Sequence, residues 1–118
     1  MSKTPIEDDI LFPALLRTKG VLLGGEYAWP PAVVREVIDF LLRKRVAVLG
    51  VEVWLPEGQY PRVLGSSNYE VTSAGNWDDY VSRNADAAIA DIERRRLPEN
   101  ALLNLTWMTE LQGKRLMR

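Results

Sequence analysis

The chain contains no histidine and no cysteine. Without histidine no side chain ordinarily titrates near neutrality, and Ser-His-Asp or Cys-His nucleophilic catalysis is excluded. Without cysteine there is no thiol redox chemistry and no disulfide. Together the two absences remove the usual ligand sets for zinc, iron and copper, so no metal or cofactor is expected. Long apolar runs are lacking as well. The run Val46–Leu55 spans about ten residues and is interrupted by Glu52, whereas a bilayer-spanning helix needs roughly 20. Met1–Asp9 is acidic and has no apolar h-region, so no signal peptide is expected there. A cytoplasmic location is the expectation. A surplus of positive charge is also missing: 15 Lys and Arg stand against 16 Asp and Glu, for a net charge of −1. Phosphate contacts dominate affinity for nucleic acid, so neither nucleic acid nor a membrane is an expected partner.

What is present is an ordinary globular balance, with 47% hydrophobic and 26% charged residues over 118 positions. That length suits one domain over residues 1–118, with 1–9 and 112–118 expected to be loose termini. Trp29-Pro30-Pro31 places proline in a first helical turn, where its missing N–H costs nothing. Val33, Val34, Val37, Ile38, Leu41 and Leu42 then recur at helical spacing, predicting an amphipathic helix over 30–44. Residues 46–55 read as a strand, with Ala47, Leu49, Val51, Val53 and Leu55 on one face and Val46, Val48, Gly50, Glu52 and Trp54 on the other. Pro56-Glu57-Gly58-Gln59 is a turn by composition, so Tyr60–Gly65 should return antiparallel; Asn68–Ser73 is a candidate further strand. Asn76, followed by Asp78 and Asp79, predicts a helix start, and Arg94-Arg95-Arg96 with Pro98 predicts its end. Leu103, Leu105 and Trp107 alternate with Asn104 and Thr106 as a strand. Gly20–Gly25 reads as a short strand or an extended turn. The expected fold class is α+β: a small, mostly antiparallel sheet with two amphipathic helices packed on one face, in two layers.

Catalytic motifs are not found. Gly20–Gly25 lacks the Gly-Lys-Ser/Thr ending of a phosphate loop, and Gly65-Ser66-Ser67 lacks the second glycine of a nucleophile elbow. Acids occur as Asp78-Asp79 and as Asp86 with Asp91, but neighbours on a helix diverge by about 100° and do not converge on one ion. Helix-terminal charge and a solvated face explain these acids, so no catalytic residue is assigned.

Binding is the chemistry left open. Glu52 lies mid-strand beside Gly50 and Trp54; it is either a solvent-facing residue paired with Arg62 across the hairpin or a partner-facing carboxylate beside an aromatic. Trp54, Tyr60 and Tyr69 fall on or beside the hairpin next to Glu52, Glu57 and Glu70, a composition shared by cores and protein interfaces. Between Ser66 and Glu93 the acids Glu70, Asp78, Asp79, Asp86, Asp91 and Glu93 face a single base, Arg83. Helix termini explain part of this excess, and the remainder would suit docking to a basic partner.

Three stretches together resemble one family. They are Glu26-Tyr27-Ala28-Trp29-Pro30, then Val46-Ala47-Val48-Leu49-Gly50-Val51-Glu52-Val53-Trp54, then Asn76-Trp77-Asp78-Asp79-Tyr80-Val81 with Arg83 and the alanine-rich helix to Ile92. Over residues 20–93 the pattern is similar to immunity protein 40, of bacterial polymorphic toxin systems. Where that family's strand carries Gly-Gly followed by Asp, this chain reads Gly50-Val51-Glu52. The resemblance implies a protein that neutralises a cognate toxin domain by direct contact, without catalysis or cofactor, in competition between bacteria. The expected partner-binding residues are Glu52, Trp54, Tyr60, Tyr69, Glu70 and Asp79. A carboxylate- or Mg²⁺-dependent enzyme and an oligomeric scaffold subunit remain as alternatives.

Overall fold

The computed structural model describes residues 14–69 and 76–116. A short helix, α1 (Ala14–Thr18), leads into a hairpin of β1 (Val21–Leu23) and β2 (Glu26–Ala28). Its turn is Gly24-Gly25, with φ of +57° and +83°. Two consecutive positive φ values twist with the strands and favour glycine at both positions. Helix α2 (Pro31–Arg43) follows, with proline in its first turn as its sequence predicts.

The main sheet is antiparallel throughout, in the order β4 (Tyr60–Asn68), β3 (Ala47–Glu57), β5 (Leu102–Met108). Trp29 extends it on the β5 side: Trp29 N–H donates to the Leu103 carbonyl at 2.9 Å, and Leu103 N–H donates back at 2.7 Å. Between β4 and β5 lies helix α3 (Trp77–Arg94). The Asn76 side chain accepts from Asp79 N–H at 2.8 Å, and Asp78 and Asp79 sit at the positive end of the dipole.

Helices α2 and α3 cover one face of this sheet. Val34, Val37, Ile38 and Leu41 of α2 and Ala85 and Ala88 of α3 share a core with Val48, Val51, Val53, Leu103, Leu105 and Trp107. The α2 stripe is rotated from the expected one: Phe40 is buried and Leu42 is 37% exposed. The chain is therefore an α+β, two-layer domain.

Strict alternation along β3 does not hold. Its pairing shifts between Val48 and Gly50 against β5, and between Val53 and Trp54 against β4. An inserted residue turns the strand by one position, so Val48 joins Val51 and Val53 in the helix-side core rather than lying opposite them. Gly50 sits in this irregular stretch, and a Cβ there would come within 2.8 Å of the Ser67 carbonyl oxygen. The opposite face carries its own small cluster, in which Leu23 and Ala28 of the β1–β2 hairpin pack on Trp54 and Leu102.

One expectation changes at the C-terminal end. From Glu110 to Leu116 the chain forms helix α4 rather than a loose tail from 112. Gln112 Oε1 accepts from Thr109 N–H at 2.9 Å, and Thr109 Oγ1 accepts from Gln112 N–H at 3.3 Å. This reciprocal capping box fixes the helix start. The expected loose arm over 1–9, and residues 70–73 of the candidate strand, lie outside the described residues. Among the described residues no helix is long and apolar enough to cross a membrane.

Candidate protein-docking surface

The sheet face away from α2 and α3 is built in cross-strand rows. Ser66, Glu52 and Asn104 align across β4, β3 and β5; Asn68, Gly50 and Thr106 form the next row. On the other side of Glu52, Trp54 aligns with Val63 and Leu102. Residues two apart on a strand point the same way, which lets the Trp54 indole N–H donate to Glu52 Oε1 at 3.0 Å. Trp54 is itself 3% exposed beneath the β1–β2 hairpin. Glu52 is half-buried, and among the described residues its second carboxylate oxygen accepts no hydrogen bond. Asn104, beside it, donates from Nδ2 to the Tyr27 carbonyl at 2.8 Å.

Glu52 does not pair with Arg62. Arg62 lies opposite Leu55, in another row, and its guanidinium is 3.7 Å from Glu57. Trp54 is likewise no surface anchor, because the β1–β2 hairpin buries it; it orients Glu52 from below.

Tyr60 stands at the tip of the β3–β4 hairpin, 70% exposed. A Cβ on Gly24 would lie 3.9 Å from the Tyr60 ring, so the two hairpin tips adjoin. Val63, Leu64 and Leu22 are exposed in the same two hairpins. The sequence reading did not single out these three, although Val63-Leu64 lies in a charge-free run from Val63 to Asn68.

Tyr69 and Asp79 lie elsewhere. Tyr69 is on the helix side, where its hydroxyl donates to Asp91 Oδ2 at 2.7 Å. Arg94 and Arg95 donate to the same carboxylate at 2.9 and 3.2 Å, and Arg95 also donates to the Ser67 hydroxyl. Burial by itself would raise the Asp91 pKa, but hydrogen bonds from Tyr69, Ser67, Arg94 and Arg95 outweigh it and hold the group at about 2. Burial, and then donation to that carboxylate, raises the Tyr69 phenol well above its ordinary value. Asp79 pairs with Arg83 one turn along α3, at 3.2 Å. Glu70 lies outside the described residues.

The acidic excess after Ser66 is thus met largely within the chain. Asp78 pairs with Arg45, Glu93 with Arg35, and Asp91 with Arg94 and Arg95. Those arginines come from outside the segment in which the acids outnumber bases, so a count along the sequence overstates the field. Among the described residues no three acids converge to hold a metal ion. A groove of about 180 Å³ between α2 and α3 is lined by Pro31, Ala32, Val34, Ile38, Ile89 and Ile92, with Arg35 and Glu93 paired at its lip.

A scan against protein-family models, a search of curated proteins and a search of solved structures each returned no match to this chain.

Proposed function

We propose that this chain is an immunity protein that neutralises a cognate bacterial toxin domain by direct binding, in the cytoplasm and without chemistry of its own. The observation that carries the reading is Glu52 on the helix-free sheet face. A carboxylate in the middle of a sheet is costly to desolvate unless it is paired. Here one oxygen is fixed by Trp54, and among the described residues the other accepts no hydrogen bond. A lysine or arginine of the toxin supplies the missing partner, and a pre-oriented acceptor loses little freedom on binding.

Around this polar centre, Tyr60 at the hairpin tip provides the apolar area that interface hot spots need. Ser66, Asn68 and Thr106 supply a neutral, hydrogen-bonding margin. The similarity to immunity protein 40 includes the strand carrying Glu52, which agrees with this choice of face. Tyr69 supports the fold from the other side, and Asp79 is engaged with Arg83.

The test is co-expression in bacteria with the toxin domain encoded beside its gene. The wild-type chain should rescue growth. Glu52→Lys should abolish rescue and Tyr60→Ala should weaken it, while far-UV circular dichroism remains native for both. Full rescue by the folded Glu52→Lys, Tyr60→Ala double variant would refute the assignment of this face. No rescue by the wild type would refute the immunity reading itself.

A further inference from the structure

Glu52 and Asn104 stand opposite each other on β3 and β5, on the sheet face away from α2 and α3. Each is held by one polar atom and free at the other. Glu52 Oε1 accepts from the Trp54 indole at 3.0 Å, and Asn104 Nδ2 donates to the Tyr27 carbonyl at 2.8 Å. Among the described residues, neither Glu52 Oε2 nor Asn104 Oδ1 accepts a hydrogen bond. We propose that these two oxygens seat the guanidinium of one arginine of the toxin domain, and that Asn104 is the residue that selects arginine over lysine. That the arginine is a toxin's rests on the immunity reading; the seat itself does not.

Two free acceptors at this depth ask for a donor. Asn104 is 5% exposed and Glu52 is half-buried, and a polar atom kept from water costs free energy until a partner reaches it. Asn104 Oδ1 is not itself enclosed, so a donor can approach it. Side chains opposite each other on neighbouring strands have Cβ atoms about 4.5–5.5 Å apart, so one group with several donors spans both. The anchors are firm. Trp54 is buried beneath the β1–β2 hairpin, and Tyr27 belongs to β2 of the same hairpin. Both acceptors are therefore set before any partner arrives, which lowers the ordering cost of binding.

The chemistry of the pair identifies its occupant. Both free atoms accept, so the ligand donates, and Glu52 gives the seat a single negative charge. A hard divalent cation takes six or more oxygen ligands, and Glu52 is the one acid in its cross-strand row. An organic cation needs no more than that. A lysine ammonium is a compact, strongly hydrated point charge, costly to bring beside a residue as enclosed as Asn104. Guanidinium is planar and more weakly hydrated, with five N–H donors on diverging edges. One edge meets the Glu52 carboxylate while another reaches Asn104 Oδ1. Val63, 50% exposed in the next row of the same face, gives the arginine's methylene stem an apolar rest. Ser66, which completes the row, can donate or accept and so discriminates between neither cation.

The experiment is an NMR titration of the isolated, isotope-labelled chain with N-acetyl-arginine amide and with N-acetyl-lysine amide at matched ionic strength. The Trp54 indole N–H and the Asn104 side-chain amide report on the seat. Arginine amide should shift both signals saturably and bind at least about threefold more tightly than lysine amide. Glu52→Gln should weaken arginine binding about tenfold, the loss expected for one charge-assisted hydrogen bond. Asn104→Thr keeps a hydroxyl donor for Tyr27 but removes Oδ1, and should bring the two ligands to equal affinity. Movement of the wild-type Asn104 amide in step with the Trp54 N–H, on arginine alone, decides the matter even if Asn104→Thr does not fold. No saturable shift with arginine, equal affinity for both ligands in the wild type, or an unchanged arginine preference in Glu52→Gln or Asn104→Thr would each overturn the proposal. Growth rescue plays no part in these readouts, so failure of the immunity reading leaves the titration readable, and loss of the arginine preference leaves the immunity reading on its own test.

Discussion

The Tyr69 hydroxyl donates to Asp91 Oδ2 at 2.7 Å, tying the residue that follows β4 to the last turns of α3. Arg94 and Arg95 complete the ring around the same carboxylate. The arrangement has a definite pH signature.

Because the folded state holds the Asp91 pKa at about 2, below its ordinary 3.8, the ionised form stabilises the fold. That contribution is fully present above pH 4 and is lost as pH falls through about 2. Asp91→Asn should lower stability at pH 7 by about 1–2 kcal/mol and flatten the loss of stability between about pH 4 and 2. Urea midpoints measured from pH 7 downward check both effects.

Tyr69→Phe removes one of the donors and leaves the arginines in place. It should cost about 1 kcal/mol, with the Asp91 carboxyl titrating at higher pH by NMR.

Asn84 is fully buried and donates from Nδ2 to the carbonyls of Val48 and Tyr69, at 3.0 and 3.1 Å. It joins α3 to β3 and to the residue that follows β4. Asn84→Leu strands two carbonyls and should cost about 2–4 kcal/mol in chemical denaturation.

Arg45 ends α2 in the left-handed region, with φ of +59°. Arg45 N–H donates to the Leu42 carbonyl and Val46 N–H to the Leu41 carbonyl, a Schellman closure in which glycine is the usual residue. Its side chain reaches Asp78 and Glu110, and its carbonyl accepts the Trp77 indole N–H at 2.7 Å. Arg45→Gly and Arg45→Ala both delete the ion pairs, but only alanine keeps the backbone strain. Arg45→Gly should therefore be the more stable of the two by about 1 kcal/mol in thermal denaturation.

Gly50→Ala should cost about 1–3 kcal/mol, because the added methyl meets the Ser67 carbonyl at 2.8 Å, which cannot turn away as the Asn68 side chain at 3.0 Å can. A thermal midpoint unchanged from wild type would contradict the close approach of β3 and β4 at this point.

Both long helices, the β3–β4 hairpin and β5 were legible in the sequence, because each carries a clear period and its own stop signals. Where the reading missed, it missed for identifiable reasons. Period two assigns Trp54 to a face but does not say what covers that face, and the cover comes from Leu23 and Ala28, remote in sequence. The shift that moves Val48 into the core leaves no mark in an unbroken β-branched run. Asn84 looks like any polar residue on a helix until the Val48 and Tyr69 carbonyls appear beneath it. The start of α4 was readable, since Thr109-x-x-Gln112 has capping-box spacing. Glu52 was found because a lone acid among valines stands out. Its orientation was not, because that depends on Trp54 being buried.

The order β4-β3-β5 also governs how the molecule comes into being. The central strand acquires one neighbour at once, through a two-residue turn, and the other only after the whole of α3 has been made. During synthesis β3 therefore waits with a bare, valine-rich side until residues 102–108 leave the ribosome. Closing so long a loop is slow, and an unpaired apolar strand in that interval is open to wrong partners. Cellular yield of variants in Leu103 or Leu105 will then follow how quickly this late strand is captured as well as how stable the finished protein is.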